Sequence, residues 1–211
     1  MQESIAIANL TKDPWVCDRP FCRHVTKSMI SRRTFVQWLL IGVLSLLTGF
    51  GPAWPAQAMG GPQPLLDQPA PTFALPTNTG DGTLSLADYR GQWVVLYFYP
   101  RDFTPGCTLE ARRFQEDLPQ YLARNAQILG VSMDDVDSHA EFCDSEGLKF
   151  PLLADTDGSV SKAYGSWMGY ASLRHTYLID PEGILRETFL GVRPAIHSKE
   201  VLARLDELQK V

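Results

Sequence analysis

From Trp93 to Tyr99 the chain reads Trp-Val-Val-Leu-Tyr-Phe-Tyr, with Gly91 before it and Pro100 after it. A short unbroken apolar run, rich in β-branched and aromatic residues, predicts a strand buried on both faces. Ala126 to Met133 repeats the pattern and predicts a second such strand. Between them, over 107–124, Leu109, Phe114, Leu118, Tyr121 and Leu122 recur at helical spacing. Ser138 to Gly147 predicts a helix, with Ser138 as N-cap and Gly147 as its stop. Thr176–Ile179 and Ile184–Phe189 flank the turn Asp180-Pro181-Glu182-Gly183, a hairpin. Ser198 to Lys210 sets Val201, Leu202, Leu205 and Leu208 on one stripe and predicts a closing helix. Leu84–Gly91 is a short apolar piece ending in a turn, and the Gly- and Pro-rich residues 59–72 read as a tether.

The order strand, helix, strand, helix, hairpin, helix is the thioredoxin-like layout. It is an α/β fold with a central mixed sheet and helices on both faces, here expected over 73–211. A hydrophobic content of 45% is enough for a core of that size. Residues 59–211 carry 13 basic and 21 acidic side chains, a net of −8, which argues against nucleic acid as a partner. They contain no apolar run of membrane-spanning length.

The first 58 residues read as an address. Ser31-Arg32-Arg33-Thr34-Phe35 is followed by an apolar stretch, Val36 to Phe50, and then by the small-residue pattern Ala56-Gln57-Ala58. Paired arginines before a moderately apolar segment resemble a twin-arginine export signal, which implies a periplasm or a thylakoid lumen. The alternative is an amphipathic or membrane-anchor helix left in place. Met29 directly precedes the signal and is a second candidate start. Cys17 and Cys22 form at most a metal half-site with no second half nearby, so no metal is expected.

The chemistry gathers in Tyr99-Pro100-Arg101-Asp102-Phe103-Thr104-Pro105-Gly106-Cys107-Thr108-Leu109-Glu110. Cys107 falls where a buried strand ends and a helix begins, next to unpaired N–H groups and the positive end of the helix dipole. Cysteines so placed favour the thiolate. Pro105 suits a helix start, and Gly106 allows close approach to the sulfur. Ionisation alone has a small effect. A free thiol of pKa about 8.5 is already about 3% thiolate at pH 7, so full ionisation gains at most roughly 30-fold. Nucleophilicity also falls with pKa. Fast chemistry therefore needs donors that meet the charge developing on the leaving group.

Pro-x3-Thr-Pro-Gly-Cys-Thr-x-Glu resembles the active-site loop of the peroxiredoxins. The flanks Leu86-Ala87-Asp88-Tyr89-Arg90-Gly91, Phe150-Pro151-Leu152-Leu153-Ala154-Asp155 and Arg174-His175-Thr176-Tyr177-Leu178-Ile179-Asp180 resemble the peroxiredoxin Q, or bacterioferritin comigratory protein, branch. The resemblance implies a thiol peroxidase for hydrogen peroxide and organic hydroperoxides, with no cofactor. It implies recycling by thioredoxin or a similar dithiol, and a monomer or dimer. Cys107 matches the peroxidatic cysteine, Thr104 the hydroxyl that binds peroxide and thiolate, Pro100 the shield of the pocket, and Arg174 the arginine that reaches the sulfur. Glu110 either holds Arg174 or a neighbour in place or is solvated on its helix. His139, His175 and His197 show no ligand spacing and read as structural or solvated. A disulfide oxidoreductase of the same fold would carry Cys-x-x-Cys, but Glu110 stands three residues after Cys107. A non-enzymatic thioredoxin-fold binding protein is opposed by the intact residue set.

Many relatives carry a second cysteine five residues after the first. Here that position is Arg112. The remaining cysteine of the body is Cys143, whose surroundings are similar to the resolving segment of the thiol peroxidases. The resemblance implies an intramolecular disulfide between Cys107 and Cys143. The alternative is a spectator Cys143 in a single-cysteine enzyme. Trp167, Met168 and Tyr170 belong either to the core or to the mouth of the pocket.

Overall fold

The computed structural model describes residues 60–79 and 82–210. The expected leader, with Cys17 and Cys22, lies outside them. Five strands form one sheet in the order β5-β4-β3-β6-β7. They are β3 (Trp93–Phe98), β4 (Ala126–Ser132), β5 (Leu152–Ala154), β6 (His175–Ile179) and β7 (Leu185–Leu190). A small hairpin of β1 (Ala74–Pro76) and β2 (Thr83–Ser85) precedes them. The helices are α1 (Pro105–Leu122), α2 (Val136–Glu146), the short α3 (Ser159–Ala163) and α4 (His197–Leu208). β3 runs parallel to β4, with Trp93 opposite Ala126 and Phe98 opposite Val131, and antiparallel to β6. This is the thioredoxin-like α/β architecture.

Alternation along β3 explains its uninterrupted apolar sequence. Val95, Tyr97 and Tyr99 enter one core with Phe114, Leu118 and Tyr121 of α1, Phe142 of α2, and Val201 and Leu205 of α4. Val94, Leu96 and Phe98 enter a second core with Phe73, Leu75, Leu86, Val160 and Tyr164. Each face thus has its own lid. The second lid is the β1–β2 hairpin, a 3₁₀ turn at Leu86–Tyr89 and the short α3, so helices stand on both faces.

Two local expectations need correction. The cap of α2 is Asp135, not Ser138. Asp135 has extended backbone, and its carboxylate accepts the Ser138 N–H at 2.9 Å. Ser138 lies one turn inside the helix, which frees its hydroxyl for another partner. Gly147 does end α2, in the left-handed conformation (φ 65°) that suits a glycine. The supposed tether is also bound to the domain over its described part. Gln63 Nε2 donates to the Gly165 carbonyl at 2.7 Å, Asp67 N–H to Leu185 O at 2.8 Å, and Ala70 N–H to Gly183 O at 3.0 Å. Its glycines and prolines shape a bound path instead of a free one.

His197, at the first turn of α4, is fully buried between the Phe114 and Phe189 rings, with Nε2 2.8 Å from Thr176 Oγ1. Burial pushes its imidazole from 6.5 down to about 4 against the pull of Glu200. The unfolded chain therefore binds this proton more readily than the folded one. The stability tied to His197 is complete above pH 6.5, is lost as pH falls from there to about 4, and is worth about 3 kcal/mol across that window. Denaturant midpoints measured through this range should fall more steeply for the native sequence than for His197→Gln.

Candidate active site

The site is built where β3 stops. The chain leaves the sheet at Tyr99, turns through Pro100–Phe103 and enters α1 at Thr104, which caps the helix with extended backbone, and Pro105 occupies the first helical position. The first helical bond is from Thr108 N–H to Thr104 O at 2.9 Å. The N–H groups of Gly106 and Cys107 stand ahead of that bond and have no partner within the helix. Cys107 is 1% exposed, on the inward side of this first turn.

Two donors converge on its sulfur. The Thr104 hydroxyl lies 2.8 Å from Sγ and 3.0 Å from Arg101 O, with one proton to share between them. Arg174 reaches in from the residue before β6, its Nη2 donating to Sγ at 3.1 Å. A guanidinium has no acceptor, so the sulfur must accept. The other end of the same guanidinium is fixed: Nη1 donates to Glu110 Oε2 at 2.7 Å. Glu110 is fully buried, one turn after Cys107, and its Oε1 has no partner. Burial pushes the Glu110 carboxyl up to about 7 against the opposing pull of Arg174. Of the two sequence alternatives for Glu110, the structure therefore selects the one that holds Arg174. Val192 N–H donates to Arg174 O at 3.1 Å and fixes the arginine's backbone.

Pro100 is half-buried and borders a cleft of about 440 Å³ shared with Arg101, Met133, Asp134, Met168, Tyr170 and Ala171. The segment 164–173 thus divides its roles. Met168 and Tyr170 line the cleft, while Trp167 packs over Gly158, with Lys162 Nζ 4.7 Å from its ring centre. Cys143 is buried on α2, in the same apolar core as Cys107, and both are free thiols. Burial pushes the Cys143 thiol up to about 11, with the Asn78 side chain pulling the other way. Arg112 forms an ion pair with Glu146 at the end of α2.

Sequence reasoning gave no role to Asp102 or to the partners of His139. Asp102 is 4% exposed and His139 fully buried, their side chains 2.9 Å apart. The available signal was an acidic residue inside a loop otherwise devoted to the thiol, but nothing local tells a buried acid from a solvated one.

A family model for the AhpC/TSA family matches residues 66–188. The chain belongs to the AhpC/TSA family and is a peroxiredoxin of the Bcp/PrxQ kind. It is 41% identical to peroxiredoxin Bcp of Xanthomonas campestris over 150 residues, 67% of this chain and 94% of that one. It is 36% identical to peroxiredoxin Bcp of Bacillus subtilis over 155 residues, 69% and 97% of the two chains. Among solved structures, X. campestris peroxiredoxin Q matches at a TM-score of 0.60 and 37% identity, covering 64% of this chain and 90% of its own. A cysteine-to-serine mutant of Xylella fastidiosa PrxQ matches at 0.66 and 34%, covering 71% and 99%. This peroxiredoxin is accordingly a thiol-dependent peroxidase.

Gly106 tests how closely the site is fitted. A Cβ at this position would lie 2.8 Å from Arg174 Nη2. Moving it aside strains its bond to the buried Glu110, so Gly106→Ala should still fold but with a lowered melting temperature. The move takes the guanidinium off the sulfur, and the second-order rate with hydrogen peroxide should fall on the order of 10²-fold. An unchanged rate would mean that Arg174 contributes nothing to catalysis.

Proposed function

We propose that Cys107 is the peroxidatic thiol and Cys143 the resolving one. The observation that carries the first half is the pair of donors, Thr104 Oγ1 and Arg174 Nη2, on a sulfur at the head of α1. The sulfur attacks one oxygen of the hydroperoxide, the O–O bond breaks, and the second oxygen leaves as water or an alcohol after taking a proton. Cys107 becomes a sulfenic acid. Negative charge builds on the leaving oxygen as the O–O bond stretches. The guanidinium, already fixed by Glu110, is placed to meet it without reorganising, and the Thr104 hydroxyl meets it by turning its one proton away from Arg101 O. Pro100, at the border of the cleft, takes the role of shielding this centre.

For the second half, the spacing of the two thiols is the support. Two solved structures of X. campestris peroxiredoxin Q are cysteine-to-serine mutants at positions 36 residues apart, as are Cys107 and Cys143. Cys143 attacks the sulfenic sulfur, a disulfide forms, water leaves, and a thioredoxin-type dithiol restores both thiols. One equivalent of peroxide should therefore remove two hydrogens from the reduced protein by mass. The Cys143→Ser variant should instead gain one oxygen, and Cys107→Ser should be unchanged. A Cys143→Ser enzyme that turns over with thioredoxin as fast as the native one would make Cys143 a spectator.

We also infer export. Arg32-Arg33 before the apolar stretch Val36–Phe50 and the pattern Ala56-Gln57-Ala58 support a twin-arginine route to a periplasm or thylakoid lumen. N-terminal sequencing of the protein recovered from that compartment should begin near Met59. A chain that keeps residues 29–58 there would instead be anchored by them.

A further inference from the structure

Just ahead of Arg174 the chain folds back on itself over 166–173. Leu173 N–H donates to Ser166 O at 2.7 Å, Trp167 pairs antiparallel with Ser172, and Met168 N–H donates to Ala171 O at 3.1 Å. Ser166 Oγ closes the base by donating to Leu173 O at 3.0 Å. The result is a small hairpin that turns at Gly169 (φ 96°) and Tyr170. Met168, Tyr170 and Ala171 line the cleft that Pro100 borders.

Pro100 and Met133 add to the apolar side of that lining, and its two charged residues, Arg101 and Asp134, lie 3.8 Å apart and offset one another. Such a surface suits an uncharged apolar group. Hydrogen peroxide has none, whereas an organic hydroperoxide carries an alkyl or aryl substituent. The tip of the hairpin has little packing of its own, since Tyr170 is 78% exposed. Its position is therefore set at the root.

The two legs are held by different elements. Ser172 Oγ, 2.8 Å from Ser161 Oγ, ties the second leg to α3. The first leg is held by the strap Gly60–Gln63. Trp167 N–H donates to Gly60 O at 3.3 Å. A Cβ on Gly60 would lie 2.1 Å from Gly165 O and 2.7 Å from Leu173 Cδ1, and a Cβ on Gly165 would lie 2.6 Å from Pro62 O. Strap and hairpin root thus meet backbone to backbone, with no room for a side chain on either.

Gln63 uses both ends of its amide. Nε2 donates to Gly165 O at 2.7 Å, and Oε1 lies 2.7 Å from Tyr177 Oη, whose one proton is shared with Tyr164 O. Tyr177 is fully buried in β6, so the amide joins the hairpin root to the central sheet. A carboxylate in its place would keep the acceptor and lose the donor. Arg174 has fastenings of its own, Glu110 on its guanidinium and Val192 on its backbone. Loosening the root therefore bears on the cleft wall more than on the group that faces the sulfur.

We propose that Gln63 sets the selectivity of this peroxidase for organic hydroperoxides, through the hairpin wall that meets their apolar substituent. The proposal rests on the reading of Cys107 as the peroxidatic thiol. Gln63 is a positioning residue and touches no peroxide. Met168 and Tyr170 meet the substituent, while the Cys107 sulfur takes one oxygen and the other leaves with the substituent as an alcohol.

Stopped-flow rate constants for oxidation of the reduced protein by cumene hydroperoxide and by hydrogen peroxide form a ratio in which any loss of folded protein cancels. Gln63→Glu removes the donor to Gly165 and should lower that ratio roughly tenfold, the lower end of what a lost apolar contact costs in a pocket. Tyr170→Ala should lower it in the same way. The double variant should fall little further, because both changes disable one wall. Gly60→Ala, which lifts the strap from Gly165, should act like Gln63→Glu and decides alone if that variant does not fold. An unchanged ratio overturns the proposal. So does a double variant in which the two losses multiply, which would place the effect of Gln63 outside the hairpin. If Cys107→Ser reacts with either peroxide at the native rate, the assignment of Cys107 fails, and that failure is read separately from the ratio.

Discussion

A guanidinium carries five N–H donors in a rigid plane and cannot accept a hydrogen bond. Arg174 directs one of them at the sulfur of Cys107 and another at Glu110. The rest of the site depends on that division. The carboxylate is buried in the first helix, one turn beyond the cysteine, so sulfur and carboxylate move together as parts of one rigid element. The arginine comes from the far side of the central strand and is held there by β6. Sheet register thereby becomes site geometry, because a slip of one residue between β3 and β6 would turn the arginine's neighbours to the opposite face. Breaking such a pair by removing one partner leaves an uncompensated charge in the interior, which is costly.

The fold was legible because its strongest signals are non-local in effect but local in sequence. An apolar run such as Trp93–Tyr99 allows only a strand with two buried faces, and β3 supplies both cores. The loop from Pro100 to Glu110 was legible for a different reason: a thiol, a hydroxyl and a helix start in fixed spacing have few uses besides chemistry. The cap of α2 was misassigned because Asp135 and Ser138 are both good capping residues, and only the path of the chain out of β4 chooses between them. The tether was misread because glycine and proline report backbone shape, not whether that backbone finds partners. Asp102 escaped notice because burial of an acid is decided by residues 36 and 37 positions away.

Arg112 stands five residues beyond Cys107. Its pairing with Glu146 ties α1 to the far end of α2, and Gln115 Oε1 accepts the Lys149 N–H at 2.7 Å just beyond. The pair is largely exposed on the arginine side, so its energetic contribution is small. Its structural effect is directional. With the start of α2 bound to the loop and its end bound to α1, the helix carrying Cys143 is restrained at both ends, and its buried face consists of His139, Phe142 and Cys143.

β7 is the outer strand of the sheet, and an outer strand presents unpaired backbone groups to any passing chain. The segment from Asp67 to Ala70 lies along the beginning of that strand: Asp67 donates to Leu185, Leu185 donates back to Gln68, and Pro69 sits opposite Ile184. Proline has no amide hydrogen, so it can end a ladder but cannot extend one outward. The segment therefore works as a selvedge, finishing the border of the sheet so that neighbouring molecules find less to zip onto.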